Sequence, residues 1–508
     1  FMQVKESNPP CRIMDLMSEK AGDEEKLDNA RASPFSYVSA LGLIAALVIT
    51  IVIDVPPFWA MGAGTIIAGL CAWARSCGAR RDDDTGASTA GAVTGRTLLA
   101  FMAGGMAKVK NVTILVLLVN MMTAAWFSSG TIQGLVYYGV SLIDPKHVIL
   151  AGLLLSAALS TLIGSSVGTV ATVGVAVMGI ARAFGLPLAP VAGAIMSGDI
   201  FGDRISFLSG IFHLTVDMTG ADLRKASRRL LKSGLPALAI CVVAAMVMGF
   251  TVKASTQSGG LLWQSQFLQG LTQMVKITPW VLVPPLIVIL LASRRIPVRL
   301  CLAAGLFAGG VVAVFYQHGN LPDLIRSVLL GYSSKGASPE VQGVFHSGGL
   351  RGTTNMALLL LFAGMYTGIM ESSGMMDDIS RGLVSKLHNR VSFLLGAMGI
   401  SVLSTAIAAN QAMSVIIPGR AMTAKRQELG ISEEDFAGVL ADSGVPAAGV
   451  IPWNVMAAMC GDTLQVSPVA FAPYTVLVWA LPLMGVLLVL KRRPGYSGAK
   501  TTVSAEDR

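Results

Sequence analysis

Charge is scarce in this chain. Asp, Glu, Lys and Arg make up 13% of its 508 residues, about half the share of roughly 25% usual in soluble domains. That shortage excludes a water-soluble enzyme, a disordered chain and a nucleic-acid-binding domain. Cysteine is also sparse. Cys11, Cys71, Cys77, Cys241, Cys301 and Cys460 show no Cys-x-x-Cys spacing, and four of them lie in apolar stretches, where a free thiol acts as a small hydrophobe. Neither a disulfide nor a structural metal is expected. No G-x-x-x-x-G-K-[ST] phosphate loop occurs, which removes the machinery of an ATP-driven pump. The mixed-charge residues ahead of the first apolar run predict no cleavable leader.

What the chain has in abundance is apolar surface, 53% of its residues, broken up by 55 Gly and 22 Pro. A bilayer core needs about 20 apolar residues per helix. Runs that reach or approach this length begin at 35–53 and recur up to 467–490. The chain therefore reads as an all-α polytopic membrane protein. Several runs are interrupted. Residues 111–143 are split at Ser128-Ser129-Gly130, and 148–163 is separated from 167–181 by Ser165-Ser166. Residues 186–198 are too short to cross, and 443–461 contains Gly444, Pro446, Gly449 and Pro452. Irregular backbone at membrane depth is tolerated where it lines a cavity or is buried in protein, so these breaks suggest a transport pathway.

The formal charge of +9 is concentrated in segments 75–110, 221–233 and 294–299 and at both ends. Basic residues favour cytoplasmic loops. Both termini are therefore expected in the cytoplasm and segment 251–277 outside. Short similarities also recur in order. Ser128-Ser129-Gly130 matches Ser372-Ser373-Gly374, Ser160-Thr161 matches Ser404-Thr405, and Ser197-Gly198 matches Ser443-Gly444, at offsets of 244 to 246. With opposite starting sides, the two copies form inverted-topology repeats with broken helices and hairpins. The expected organisation is a cytoplasmic N-terminal segment (1–34), a first repeat (35–252), an extracytoplasmic linker (253–277), a second repeat (278–490) and a cytoplasmic tail (491–508).

In such a design the site lies between paired breaks, here 164–169 with 409–414 and 197–209 with 442–454. The first pair offers Ser165, Ser166, Thr169 and Thr172 opposite Asn410, Gln411 and Ser414. The alternative is that these hydroxyls bond back to helix carbonyls. The second pair offers Asp199, Asp203 and Ser206 opposite Asp442, Ser443, Trp453 and Asn454. Carboxylates in apolar surroundings mark ion or proton pathways or pair with a cation. For Asp203 the alternative is an ion pair with Arg204. Burial disfavours a carboxylate's charged form and a cation favours it, so one site can exchange H+ for a transient Na+ near Asp199 and Asp442. Trp126 could wall a cavity or simply pack. Gly164-Ser165-Ser166-Val167-Gly168 also fits G-x-S-x-G, but that elbow needs a strand before its Ser, so an intramembrane serine hydrolase is a poor fit and no enzyme is expected.

These residues resemble the NhaC-type Na+/H+ antiporter family of the ion transporter superfamily, which also includes sodium-coupled malate/lactate exchangers. The resemblance spans roughly 35–490 and rests on residues 168–174, on 192–198 with 201–206, on Asn410-Gln411 followed by Ile417-Pro418-Gly419-Arg420, on Asp442-Ser443-Gly444 with Ile451-Pro452-Trp453-Asn454, and on Ala472-Pro473-Tyr474. It implies a secondary transporter of a bacterial inner membrane that needs no cofactor and, by analogy, forms a homodimer. Two acids of the family pattern are missing, at Gly210 and at Ala409-Asn410-Gln411, while Asp199 stands where a small residue is usual. Amides and hydroxyls suit a polar organic solute. The leading expectation is a transporter of an amino acid, carboxylate or related metabolite coupled to H+ or Na+. The alternative is Na+/H+ antiport by relocated carboxylates.

Overall fold

The structure is a computed structural model that describes residues 34–53, 55–79, 93–251, 260–294, 296–332, 349–385 and 387–491. The expected N-terminal segment up to residue 33, Asp82-Asp83-Asp84, linker positions 253–259 and the tail from 492 lie outside the described residues. The described residues are helical, with no strand among them. The first half runs through α1 (Pro34–Val52), α2 (Phe58–Ala79), α3 (Gly95–Ser128), α4 (Thr131–Leu142), α5 (Val148–Ile163), α6 (Val175–Ala183), α7 (Leu188–Ile205), α8 (Gly210–Thr219) and α9 (Leu223–Thr251). The second half runs through α10 (Gly260–Met274), α11 (Val283–Ser293), α12 (Val298–Val311), α13 (Leu321–Leu330), α14 (Thr354–Ser372), α15 (Met375–Val384), α16 (Arg390–Ala408), α17 (Met413–Glu428), α18 (Glu433–Asp442), α19 (Val455–Leu464) and α20 (Val476–Lys491).

Seven described helical stretches are long and apolar enough to cross a membrane, or up to nine if two bent pairs each count as one span. Their outer faces carry bare Leu99, Val243, Phe250 and Phe307, as a lipid-facing surface requires. The protein is a multi-pass, all-α membrane protein.

The repeated Ser-Ser-Gly turns share one backbone conformation. Gly130 has φ +76 and ψ +6, and Gly374 has φ +73 and ψ +5. A left-handed residue that opens the next helix favours glycine. Around these turns α3 and α14 pack antiparallel at Gly105, Gly364 and Gly368, where an added Cβ at Gly105 would meet the Gly364 carbonyl at 2.0 Å. Gly374 follows closely after Gly368, beside Gly105, whereas Ser128 lies 23 residues on, roughly 35 Å along α3 at 1.5 Å per residue. The two turns therefore sit at opposite ends of the helix pair.

The two main breaks also match. Gly164 ends α5 at φ +66, and Ala409 ends α16 at φ +51. Each break meets the start of a short helix of its own half. Gly164 abuts Leu208 and Ser209, just before α8. The Ala409 carbonyl accepts from the Val455 N–H at 3.0 Å, at the start of α19. Each short helix then packs on the other half. Met218 of α8 lies against Gly419 of α17, and Leu464 of α19 lies against Gly174.

Two expectations need correction. The chain does not unwind at 197–205, because α7 is continuous to Ile205. Gly198 and Gly202 serve close packing instead: an added Cβ would meet the Leu153 carbonyl at 2.1 Å and the Thr161 N–H nitrogen at 2.4 Å on α5. Small residues four apart allow this approach in membranes. Nor is the expected linker 253–277 a mere connection. It contains α10, whose Phe267 and Leu271, one helical turn apart, are both buried.

Candidate ion-binding site

The first break is built in three parts. After Gly164, Ser165 caps a single turn, Ser166–Thr169, by accepting from the Gly168 N–H at 3.4 Å. A π-helical turn over Val170–Gly174 follows, before α6. Such turns mark places where regular helix geometry yields to a site. The Thr169 hydroxyl donates to the Ser165 carbonyl at 3.1 Å and the Thr172 hydroxyl to the Gly168 carbonyl at 2.7 Å. These two threonines stabilise the distorted backbone. Ser166 does not: its buried hydroxyl has no hydrogen-bond partner among the described residues.

Beside Ser166 stand Asp199 and Asp203, one turn apart on one face of α7. Ser166 lies next to both carboxylates, Ser160 next to Asp199 and Ser209 next to Asp203. The Cys460 thiol of α19 closes the cluster near both acids. Asp199 is fully buried, and neither carboxylate oxygen has a hydrogen-bond partner among the described residues. Asp203 is only 7% exposed. Arg204 does not neutralise it, because its guanidinium turns to Asp442. No trio of His, Cys, Asp and Glu among the described residues is arranged to hold a metal. A cation here would rest on two carboxylates and neighbouring hydroxyl and carbonyl oxygens, the ligand set of a hard ion.

Asp442 is not brought into this cluster. Its Oδ1 accepts from Arg204 Nη1 and from the Ser233 hydroxyl at 2.9 Å, while Oδ2 lies 3.7 Å from Arg229 Nη1. Arg229 Nε in turn reaches Asp435 at 3.1 Å, and Arg390 Nη2 reaches Asp435 at 3.5 Å. Arg204, Arg229, Asp435 and Asp442 are all buried. Buried charges persist when paired and bonded in this way. The ladder ties α7 and α9 of the first half to α18 of the second.

The remaining second-half candidates are largely engaged by backbone. Asn454 donates to Thr405 at 3.1 Å and accepts from the Met456 N–H, capping α19. Trp453 Nε1 donates to the Ala406 carbonyl at 2.7 Å. Asn410 accepts from the Ala412 N–H at 3.0 Å, Gln411 donates to the Val445 carbonyl at 3.3 Å, and the Ser414 hydroxyl donates to the Gln411 carbonyl at 2.6 Å. Ser443 bonds back to Val439 at 2.7 Å, and Ser206 crosses to the Thr161 carbonyl at 2.8 Å. Trp126 packs at 0% exposure, its Nε1 donating to the Gly305 carbonyl. Reasoning from sequence missed the roles of Ser209 and Cys460, and also the pair in which Asn120 donates to Asp462 at 3.1 Å between α3 and α19. Their polarity inside apolar runs was the available signal.

Residues 198–491, more than half of the chain, match the model of the Na+/H+ antiporter family. The chain is 28% identical over 376 residues to the Na+/H+ antiporter NhaC of Bacillus subtilis (strain 168), covering 74% of this chain and 83% of that protein. It is 26% identical to the malate-2H+/Na+-lactate antiporter of the same organism, over 70% of this chain and 76% of that one. It is also 26% identical to the arginine/ornithine antiporter ArcD of Halobacterium salinarum (strain ATCC 700922 / JCM 11081 / NRC-1), over 75% and 78% of the two chains.

Proposed function

We infer the function from the premise that the chain belongs to the Na+/H+ antiporter family; it is a secondary antiporter. In the reading we propose, Asp199 and Asp203 form the coupling site, where H+ and Na+ compete for the same carboxylate oxygens, and this exchange drives a small polar organic solute across a bacterial inner membrane. The halves 35–252 and 278–490 act as inverted copies that rock about the breaks, with both termini cytoplasmic.

The observation that carries this reading is that the acid pair has only hydroxyl neighbours and no basic ion-pair partner among the described residues. An ionised carboxylate without a balancing positive charge is costly in an apolar interior. Two such groups one turn apart repel each other unless a proton or a cation sits between them. Occupancy by one therefore excludes the other, which is the elementary requirement for antiport. Ser166 supplies a neutral oxygen on the unwound turn, so movement of the break alters the ligand set directly. That relatives exchange Na+ for H+, malate for lactate and arginine for ornithine supports a cation-coupled antiporter whose organic cargo varies.

The test is proteoliposome exchange with a pH-sensitive dye inside. With the interior acidified beforehand, addition of Na+ outside should raise the internal pH in wild type and not in Asp199→Asn. Retention of full Na+-dependent exchange by that variant overturns the assignment.

A further inference from the structure

A cavity of about 290 Å3 opens beside the second break, between α3, α14, α15 and α17. Its polar wall carries Lys108, Glu371, Asp377 and Arg420, and its inner end reaches Thr367 and Ala408. The Thr367 hydroxyl donates to the Ala408 carbonyl at 2.6 Å, immediately before Ala409. The cavity therefore leads from an exposed charged rim to the backbone of the break. Its position has a counterpart in the first half. At the 244-residue offset, Glu371 corresponds to Phe127 and Asp377 to Gln133. There the space is filled: Phe127 stacks on Tyr332 at 5.6 Å, and fully buried Gln133 donates to the Phe127 carbonyl at 3.0 Å. One side is sealed by an aromatic plug and the other is an open, charged vestibule.

The charges in the vestibule balance. Lys108 Nζ already pairs with Glu371 Oε2 at 2.6 Å. That leaves the Arg420 guanidinium and the Asp377 carboxylate without an ion-pair partner among the described residues. One free cation and one free anion complement a solute that carries both signs. Arg420 offers the planar fork that grips a carboxylate, and Asp377 accepts from an ammonium group. A dicarboxylate would leave an anionic pole facing Glu371 and Asp377, and a bare cation would leave Arg420 unmatched. Beside Thr367 and Ser372 the wall carries one apolar patch, Met376, Met413, Ile416 and Ile417, which suits a small aliphatic side chain. The volume lies at the small end of ligand pockets, near 300 Å3.

We propose that this vestibule is the entry site for a neutral aliphatic α-amino acid, held between Arg420 and Asp377. The proposal rests on the antiporter reading above and names its organic cargo. The test uses the full-length protein in detergent, with thermal shift and equilibrium binding against the twenty amino acids singly, L-malate, and two isosteres of L-leucine. These are 4-methylpentanoate, which lacks the ammonium, and 3-methylbutylamine, which lacks the carboxylate. Ligand binding to the folded state raises Tm by mass action. Leucine, isoleucine, valine or methionine should raise Tm, with both isosteres about tenfold weaker or worse, as expected for an unmatched charged pole. Arg420→Gln should narrow the preference for leucine over 3-methylbutylamine, and Asp377→Asn its preference over 4-methylpentanoate. The proposal falls if no amino acid shifts Tm, if malate or 4-methylpentanoate matches leucine, or if both variants keep the wild-type preferences. Wild-type Na+-dependent H+ exchange in proteoliposomes separates the two readings: its presence without amino-acid binding removes only the vestibule assignment, and its absence removes the antiporter site itself.

Discussion

The two breaks have the same backbone and opposite chemistry. Each ends a long helix with one left-handed residue, Gly164 or Ala409, and each abuts the start of a short helix that crosses to the other half. The first then gathers Asp199, Asp203 and Ser166, none of them paired with a basic side chain among the described residues. In the second, Asn410, Gln411, Ser414, Trp453 and Asn454 each make a bond to backbone. At the 246-residue offset the acids become Val445 and Gly449. The two breaks thus share a left-handed helix end, while the unpaired acid pair occurs once among the described residues. A second unpaired acid cluster would add its own burial cost without being needed for one exchange cycle.

The sharpest way to break this comparison is to remove the charge from one side and the polarity from the other. Asp199→Asn should lower Na+-dependent exchange by about 100-fold, the scale of losing a charged ligand contact. Gln411→Ala should leave exchange within a few-fold of wild type, because its amide only bridges to a carbonyl. Equal losses from both would mean that the second break also holds the ion. The wild-type pH response carries a definite sign. In the proposed reading protons and Na+ compete for the same oxygens, so the Na+ concentration for half-maximal exchange should rise as pH falls, by up to about tenfold per unit. A half-maximal concentration that is flat with pH refutes competition at one site.

Asp442 tests the division differently. Asp442→Asn strips the ion-pair partner from buried Arg204 and the more distant of two partners from Arg229. Breaking a buried pair on one side costs about 3–5 kcal/mol, read as lost folded protein in a denaturation series. Whatever protein remains folded should still exchange Na+ for H+. A stable but uncoupled variant would return Asp442 to the ion path.

A smaller effect is expected from Gly198→Ala, which pushes α5 and α7 apart at the Leu153 carbonyl. Overpacking of this kind costs about 1–3 kcal/mol. Exchange should fall with stability as Asp199 shifts from Ser160. This position also shows the limit of the sequence as a guide. Glycine serves both unwinding and close approach, and a run of residues cannot distinguish them without the facing helix. The acid pair was legible, since two carboxylates at i and i+4 in apolar surroundings point to one face. The Ser-Ser-Gly turns were legible because a left-handed helix start demands glycine. Asp442 was not, because Arg204 is 238 positions away in the chain. Nor was the vestibule, whose rim draws on four separate helices.

The smallest and most direct comparison exchanges the two left-handed residues. Ala409 holds φ +51 with a side chain, a conformation that costs an L-residue about 1–2 kcal/mol. Glycine relieves that cost but loses about 0.5–1 kcal/mol of chain entropy. Ala409→Gly should therefore raise stability by at most about 1.5 kcal/mol, with the second break otherwise unchanged. Gly164→Ala runs the other way for two reasons. It takes on the left-handed cost, and its new Cβ would stand 2.5 Å from the Leu208 carbonyl carbon and 2.6 Å from the Ser209 nitrogen. The segment it displaces ends at Ser209, beside Asp203. Thermal unfolding of the two variants should give shifts of opposite sign, with an exchange defect in Gly164→Ala alone. Matching shifts would show that the breaks are mechanically equivalent, and the asymmetry would then lie only in their side chains.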